Sequence, residues 1–320
     1  MRIRTLLAAW LAGLAFAGPA AAQGFPSRNI KFIVPFQAGS ATDALARIVG
    51  EHAARTLGRP VVIENMAGAS GVVAAQNVAR AEPDGHTVLI STNTTHGANQ
   101  SLLKTVPYDA VNGFEHVTKL GTITLALIAN PSVPANDVKE LIAYAKSNPG
   151  KLTFGSGSSS SRIAGEMLKS LGGIDIVHVP YRSNPQAITD ILGGQIALFF
   201  ADISTTLPQV KAGKVKGFAV STAQRSKLAP ELPTMAEAGV PGYDLAAWFA
   251  AFVPAETPKP IVDKLREALV SAVNDPATQE RLLGAGIEPE TSTSEDLKAF
   301  VSAEIKKWGD IVKAAGIQPE

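Results

Sequence analysis

The sequence predicts an α/β protein built on parallel-rich sheet, and three observations carry that prediction. Short β-branched runs alternate with helical patterns, most runs are continuously apolar, and several end in small-residue turns that open directly into a helix. Continuous apolar runs suit strands covered on both faces, and strand–helix alternation suits right-handed crossovers between parallel strands.

Taken in order, the first strand is expected at 30–34, where Ile30, Ile33 and Val34 supply the apolar run, with a helix at 42–57. Val61 and Val62 mark a strand at 60–63, and a helical pattern follows at 72–81. Strands at 87–90 and 125–129 come next, then a helix at 137–147. A strand at 152–154, a helix at 163–171, a strand at 174–179 and a helix at 187–192 continue the alternation. Strands at 196–200 and 218–220 close it. After Pro258 the pattern becomes purely helical. Ile261, Leu265, Ala268, Leu269 and Ala272 form one apolar stripe, and Leu297, Phe300, Val301, Ile305, Trp308 and Ile311 form another, both read as core-facing. There is no repeat of fixed period and no low-complexity linker.

Composition narrows the functional classes. The 320 residues are 46% hydrophobic and 18% charged, which suits about two domains of about 150 residues and excludes a disordered or fibrous chain. Cysteine is absent, which removes disulfides, thiolate metal sites and a thiol nucleophile. A net charge of +1 without a Lys/Arg cluster lacks the footprint of a nucleic-acid binder. Arg2 and Arg4 precede an apolar stretch of thirteen residues at 6–18, and Ala20, Ala21 and Ala22 offer a cleavage pattern. The stretch is too short to span about 30 Å of hydrocarbon, so residues 1–22 read as a signal peptide, against the competing reading of a buried N-terminal helix. Cleavage near Ala22 would leave 298 residues, with 27 basic against 28 acidic side chains and a charge of −1. The mature chain is expected to be exported and soluble.

Five turns of small, uncharged residues lie between strand and helix: 36–43, 65–71, 91–95, 155–162 and 181–184. In open α/β sheets ligands bind beyond the carboxyl ends of the strands. Turns there expose the first N–H groups of a helix, which favour an anion, while Gly permits close approach and Ser/Thr add hydroxyls. One such turn is indistinguishable from an ordinary cap; five together point to a polar, anion-accepting cleft. Evidence for catalysis is thin. The five histidines, His52, His86, His96, His116 and His178, show no metal-ligand spacing. The serine run at 158–161 lacks a nucleophile elbow, and Gly155-x-Gly157 lacks the third glycine of a dinucleotide fingerprint. Asp43, Asp190 and Asp202 could be acid or base groups, although Asp43 reads better as a carboxylate favoured by its helix dipole.

The chain resembles the Bug (TctC-type) family, the extracytoplasmic solute receptors of tripartite tricarboxylate transporters. The resemblance rests on ordered matches through nearly the whole mature chain. They include Val34-Pro35-Phe36-Gln37-Ala38-Gly39 with Asp43, Glu64-Asn65, Glu82-Pro83-Asp84-Gly85 and Val106-Pro107-Tyr108-Asp109. Asn148-Pro149-Gly150-Lys151, His178-Val179-Pro180-Tyr181 and Glu237-Ala238-Gly239-Val240-Pro241-Gly242-Tyr243 continue them. The family implies a two-domain periplasmic-binding-protein fold, a type II-like Venus flytrap whose chain crosses between domains twice. Residues 23–122 with 247–320 would form one domain and 123–246 the other, hinged near 121–125 and 245–249. It further implies a non-enzymatic receptor without cofactor or metal. Backbone amides, hydroxyls and ordered water would hold one carboxylate of a small organic acid, and the partners would be the membrane permease subunits of the transporter.

The candidate ligand-binding residues, of which Asn65, Thr92, Tyr181, Asp202 and the turns at 36–42 and 155–161 are what the resemblance implies, are Phe36, Ala38, Gly39, Ser40 and Thr42 in the first turn and Asn65, Gly68 and Ser70 in the second. The third turn supplies Thr92 and Asn93, and the fourth Ser156, Ser158, Ser160, Ser161 and Arg162. The fifth supplies Tyr181, Ser183 and Asn184, and Asp202 completes the set. Departures from the family pattern are Met66 where Arg is common, Arg162-Ile163 in place of a His-Leu pair, and Arg182-Ser183-Asn184 in place of Lys-Gly. If Arg162 faces the cleft it could clamp a second carboxylate, which makes the expected ligand a dicarboxylate. Two other readings remain open: a periplasmic hydrolase of carboxylate esters using a cleft serine, and a receptor that reports its ligand to a sensor kinase.

Overall fold

The computed structural model describes residues 24–314 and 316–319; the expected signal at 1–22 lies outside them. β1 (Ile30–Val34) buries every residue but Lys31, and α1 (Ala41–Leu57) carries the chain to β2 (Val61–Asn65). α2 (Val72–Ala79) leads to β3 (Thr87–Thr92), and β2 and β3 flank β1 in parallel. A π-helical turn, Thr94–Ala98, and the short α3 (Asn99–Leu102) precede β4 (Phe114–Ala129). After α4 (Val138–Ser147), the units β5 (Thr153–Ser156), α5 (Ser159–Gly172), β6 (Val177–Pro180), α6 (Asn184–Leu192) and β7 (Leu198–Asp202) repeat the crossover pattern. β6 and β7 lie parallel to β5 on its two sides. α7 (Ile203–Lys211), β8 (Lys216–Val220) and β9 (Ala246–Pro254) follow, and the chain closes with α8 (Lys259–Asn274), α9 (Pro276–Gly284), β10 (Ile287–Pro289) and α10 (Ser294–Ala314).

Among the described residues the strands run in the order β2-β1-β3-β9-β4-β7-β5-β6, with β8 and β10 also paired to β4. The parallel pairings lie towards the two ends, and the two long central strands are antiparallel to their neighbours. β4 connects the two sets: residues up to Thr124 pair with β9, and from Leu125 onward the strand pairs with β7 and β8. Its register against β9 slips between His116 and Thr118 and again between Lys119 and Gly121, a pair of bulges that bends the strand. Gly121 has φ +157°, and a Cβ there would lie 2.7 Å from the Glu288 carbonyl on β10, so this close approach requires glycine.

The expected strands and helices all appear with boundaries shifted by a few residues, and α3, α7, the first half of β4, β9 and β10 go beyond them. The first half of β4 carries Glu115, His116, Thr118 and Lys119, whose polar types hide a strand from an apolar-run criterion. β9 is alanine-rich and reads locally as a connection. The expectation of a purely helical C-terminus is corrected by β10, whose three residues become a strand only by pairing with β4. The two C-terminal stripes face the core: Ile261, Leu265, Ala268, Leu269 and Ala272 are buried together, as are Leu297, Val301 and Trp308. α10 spans two cores, with Leu297 and Val301 packing near Trp248 and Phe252, and Trp308 and Val312 joining the core around α4 and α5. The indole N–H groups of Trp248 and Trp308 both donate to Glu304 Oε2 at 2.7 Å. No helix among the described residues is long and apolar enough to cross a membrane.

Candidate functional site

The turn from β1 into α1 is held by the buried carboxylate of Asp43. Ser40 caps α1, its hydroxyl accepting from the Asp43 N–H at 3.2 Å, and the Gly39 N–H donates to Asp43 Oδ2 at 3.0 Å. Gly39 adopts φ +83°, which tightens the turn. Arg47 lies 2.9 Å from the other Asp43 oxygen, and Asn65 Nδ2 donates to that oxygen and to the Phe36 carbonyl. Burial pushes the Asp43 carboxyl up; the hydrogen bonds from Arg47, Gly39 and Asn65 outweigh it and hold the carboxyl below its ordinary value. The turn so fixed presents Phe36, Ser40, Ala41 and Thr42 to a cavity at the start of α1.

The opposite wall is built where β5 enters α5. Ser158 caps α5 in a reciprocal box with Ser161, whose hydroxyl accepts from the N–H groups of Gly157 and Ser158. A Cβ on Gly157 would lie 2.2 Å from the Asn184 nitrogen, so glycine lets the start of α6 press against the start of α5. Asn184 Oδ1 accepts from the Gly157 N–H at 3.2 Å, while its Nδ2 donates to Asp202 Oδ2 at 3.3 Å. Asp202 ends β7 at the N-cap of α7 yet makes no side-chain cap bond. Its carboxyl is buried, and burial pushes it up to about 6, with the Asn184 bond only partly offsetting this.

Between these walls lies one cavity, completed by Thr92, Asn93 and Thr94 after β3 and by Ala247 and Phe249 of β9. Asn93 spans it, donating to Ser160 Oγ at 2.8 Å and accepting from the Trp248 N–H at 3.4 Å. A second bond between the start of α5 and the segment after β3 runs from Ser159 Oγ to Asn99 Oδ1 at 3.1 Å. The N-termini of α1, α5 and α6 therefore converge on one point, each with N–H groups that have no partner within their own helix. The buried hydroxyls Thr94 Oγ1 and Ser183 Oγ line the same cavity and make no hydrogen bond within the described residues. Among the described residues no Lys, Arg or His lines it. The enclosed part of the cavity is small, with room for about two water-sized groups.

A second cavity of 130 Å³ adjoins the first and shares Gly157 and Ser158 with it. Ser70, Leu102 and Leu103 form one side, and Ser156, Arg162, His178, Tyr181 and Arg182 the other. Its polar wall carries Arg162 and Arg182, whereas the one ionisable side chain among the described residues lining the first cavity is the Asp202 carboxyl. Tyr181 contributes its ring, because its hydroxyl donates to Asp190 Oδ2 at 2.7 Å; burial and then that carboxylate push the phenol up to about 12. Ser156 Oγ lies 2.6 Å from His178 Nε2.

Of the residues singled out in the sequence, the structure brings Phe36, Ser40, Thr42, Thr92, Asn93, Ser158, Ser160, Ser183, Asn184 and Asp202 around the first cavity. Ser70, Ser156, Arg162 and Tyr181 line the second, which also includes Ser158. Ala38, Gly39, Asn65, Gly68 and Ser161 line neither. Ala38 and Gly39 are exposed on the outer side of their turn, while Asn65 and Ser161 spend their polar atoms holding turns in shape. Sequence reasoning missed Ala41, Thr94, Gly157, Ala247 and Phe249 as wall residues. Thr94 and Gly157 stood inside the turns already singled out; Ala247 and Phe249 lay in a segment read as a hinge.

The model of the tripartite tricarboxylate transporter family receptors matches residues 45–317. The solved structure of the periplasmic binding protein BugD is 34% identical, with a TM-score of 0.88, covering 92% of this chain and 100% of that one. A Rhodopseudomonas palustris protein solved with adipate is 33% identical at a TM-score of 0.90, over 92% of this chain and all of the other. MatC from Rhodopseudomonas palustris, solved with bound malate, is 33% identical at a TM-score of 0.86, covering 90% of this chain and 100% of that one.

Proposed function

The chain belongs to the tripartite tricarboxylate transporter receptor family, the Bug or TctC receptors, and from that premise we propose that it captures a dicarboxylate in the periplasm and delivers it to the permease subunits of such a transporter. The observation that carries the reading is the first cavity: three helix N-termini and two unpaired hydroxyls converge on a space the size of a carboxylate. The second cavity supports a ligand with two acid groups. One carboxylate sits among Ser40, Thr42, Thr94, Ser160 and Ser183; the chain of the ligand passes Ser158, and the distal carboxylate meets Arg162 and Arg182. Adipate and malate, held by two structural neighbours, are both dicarboxylates.

The two lobes of the receptor are residues 23–122 with 247–320, and 123–246. They hinge where β4 changes partners after Thr124 and where the chain enters β9 at Ala246. The Asn93–Ser160 and Asn99–Ser159 bonds hold the lobes together at the cavity, and ligand contacts from both sides add to closure. A ligand at 100 times its Kd adds about 2.7 kcal/mol of stability, which is about 4–5 °C in Tm for a chain of this size. Thermal shifts with matched mono- and dicarboxylates test the reading: adipate and malate should raise Tm well above hexanoate and butyrate, and Arg162→Ala should erase that preference. An unchanged ranking in Arg162→Ala removes the distal clamp, and no shift with any acid removes the carboxylate reading.

A further inference from the structure

The carboxylate cavity already contains a carboxyl group of its own. Asp202 lines it with Ser183 and Asn184, and among the described residues no Lys, Arg or His faces it there. The elements around Asp202 present Asn184 from α6, Ser158 from the α5 turn, Thr42 from α1, Ala247 from β9 and Leu125 from β4, none of them charged or titratable. An aspartate at an N-cap ordinarily accepts from the N–H groups of its own helix. Asp202 forgoes that bond, and its single side-chain partner among the described residues is Asn184 Nδ2.

We propose that this receptor takes up a proton together with its ligand: a carboxylate entering the first cavity is met by Asp202 as a neutral acid, whose O–H donates to a ligand oxygen. The proposal rests on the carboxylate reading above and adds a proton to the bound species. The convergent helix N-termini favour one negative charge in the cavity, and the ligand brings it. Two carboxylates in a space this small cannot both stay charged without a cation between them, so one holds the proton. Burial already pushes the Asp202 carboxyl up to about 6 before any ligand arrives, and a second negative charge beside it pushes further in the same direction. The proton comes from solvent and returns to it on release. No covalent bond changes. Binding is therefore linked to pH, tightening as pH falls, over a range where free dicarboxylates are already fully ionised.

Isothermal titration of the mature protein with adipate, at about pH 7.5 in phosphate and in Tris, counts the protons from the difference in buffer ionisation heat. The expected result is uptake of close to one proton per ligand, with Kd weakening about tenfold per pH unit between about pH 7 and 8.5. Asp202→Asn, which keeps the shape and offers an amide donor, should bind with no proton uptake and a flat pH profile. Binding by the parent with no proton uptake, or uptake that persists unchanged in Asp202→Asn, overturns the proposal and leaves the carboxylate reading intact. If neither adipate nor malate binds at any pH, the carboxylate reading itself fails and this proposal fails with it.

Discussion

Gly157→Ala tests how the cavity is assembled. The added Cβ would lie 2.2 Å from both the Asn184 nitrogen and the Ser183 carbonyl carbon, and 2.6 Å from the Ser183 oxygen. Comfortable non-bonded contact begins at about 3.5 Å, so the start of α6 must retreat from the start of α5 by about 1 Å. Backbone cannot swing aside as a flexible side chain would. Overpacking of this kind costs about 1–3 kcal/mol, and loss of the Gly157–Asn184 hydrogen bond adds about 1 kcal/mol. Together these lower Tm by about 3–6 °C. The same retreat carries Ser183 away from the cavity, and one forfeited charge-assisted bond weakens adipate binding by about 10- to 100-fold. Differential scanning fluorimetry and titration calorimetry read the two effects on one preparation. Gly284→Ala is the control: nothing lies within 4 Å of its Cβ at the end of α9, so its Tm should hold or rise slightly. A Gly157→Ala protein that melts with the parent and binds adipate equally well would falsify the claim that α5 and α6 must touch.

Two further outcomes follow from side chains that shape the site. Asn93→Ala strips the Ser160 hydroxyl and the Trp248 N–H of a buried partner, at a cost of about 1–3 kcal/mol, so the urea midpoint should fall and Kd rise at least about tenfold; unchanged values would mean that Asn93 bridges nothing in solution. Asp43 titrates lower folded than unfolded, so its stabilisation is complete above the unfolded value of about 3.9 and is lost as pH falls through the folded one. Stability measured from about pH 6 down to pH 2 should therefore decline less steeply in Asp43→Asn than in the parent, and equal slopes would remove Asp43 as the anchor of the first turn.

Much of the architecture was legible locally. β1 and α1 announce themselves through Ile30, Ile33 and Val34 followed by a Ser40 cap, and the crossover units around β5, β6 and β7 do the same. β9 was not legible, because Ala246 and Ala247 carry no strand preference of their own and gain their conformation by pairing with Thr124 and Ile123. Turn chemistry also marked where helices begin, since Ser, Thr and Asn at those points satisfy free N–H groups or leave them open.

Sequence by itself determined that polar, uncharged helix starts would be numerous, that no thiol chemistry was available, and which family pattern the chain follows. It could not say which hydroxyls remain open. Ser161 and Ser183 are the same residue type in similar turns, yet Ser161 is consumed by the Gly157 and Ser158 N–H groups, while Ser183 keeps its hydroxyl in the cavity. Nor could it say that Asn65 braces a turn, or that Asp202 would line one cavity with Thr42 and Ser183. Those outcomes depend on segments far apart in the chain meeting at one point. A hydrogen bond's partner is set by which group is nearest in space, and only the packed chain supplies that distance.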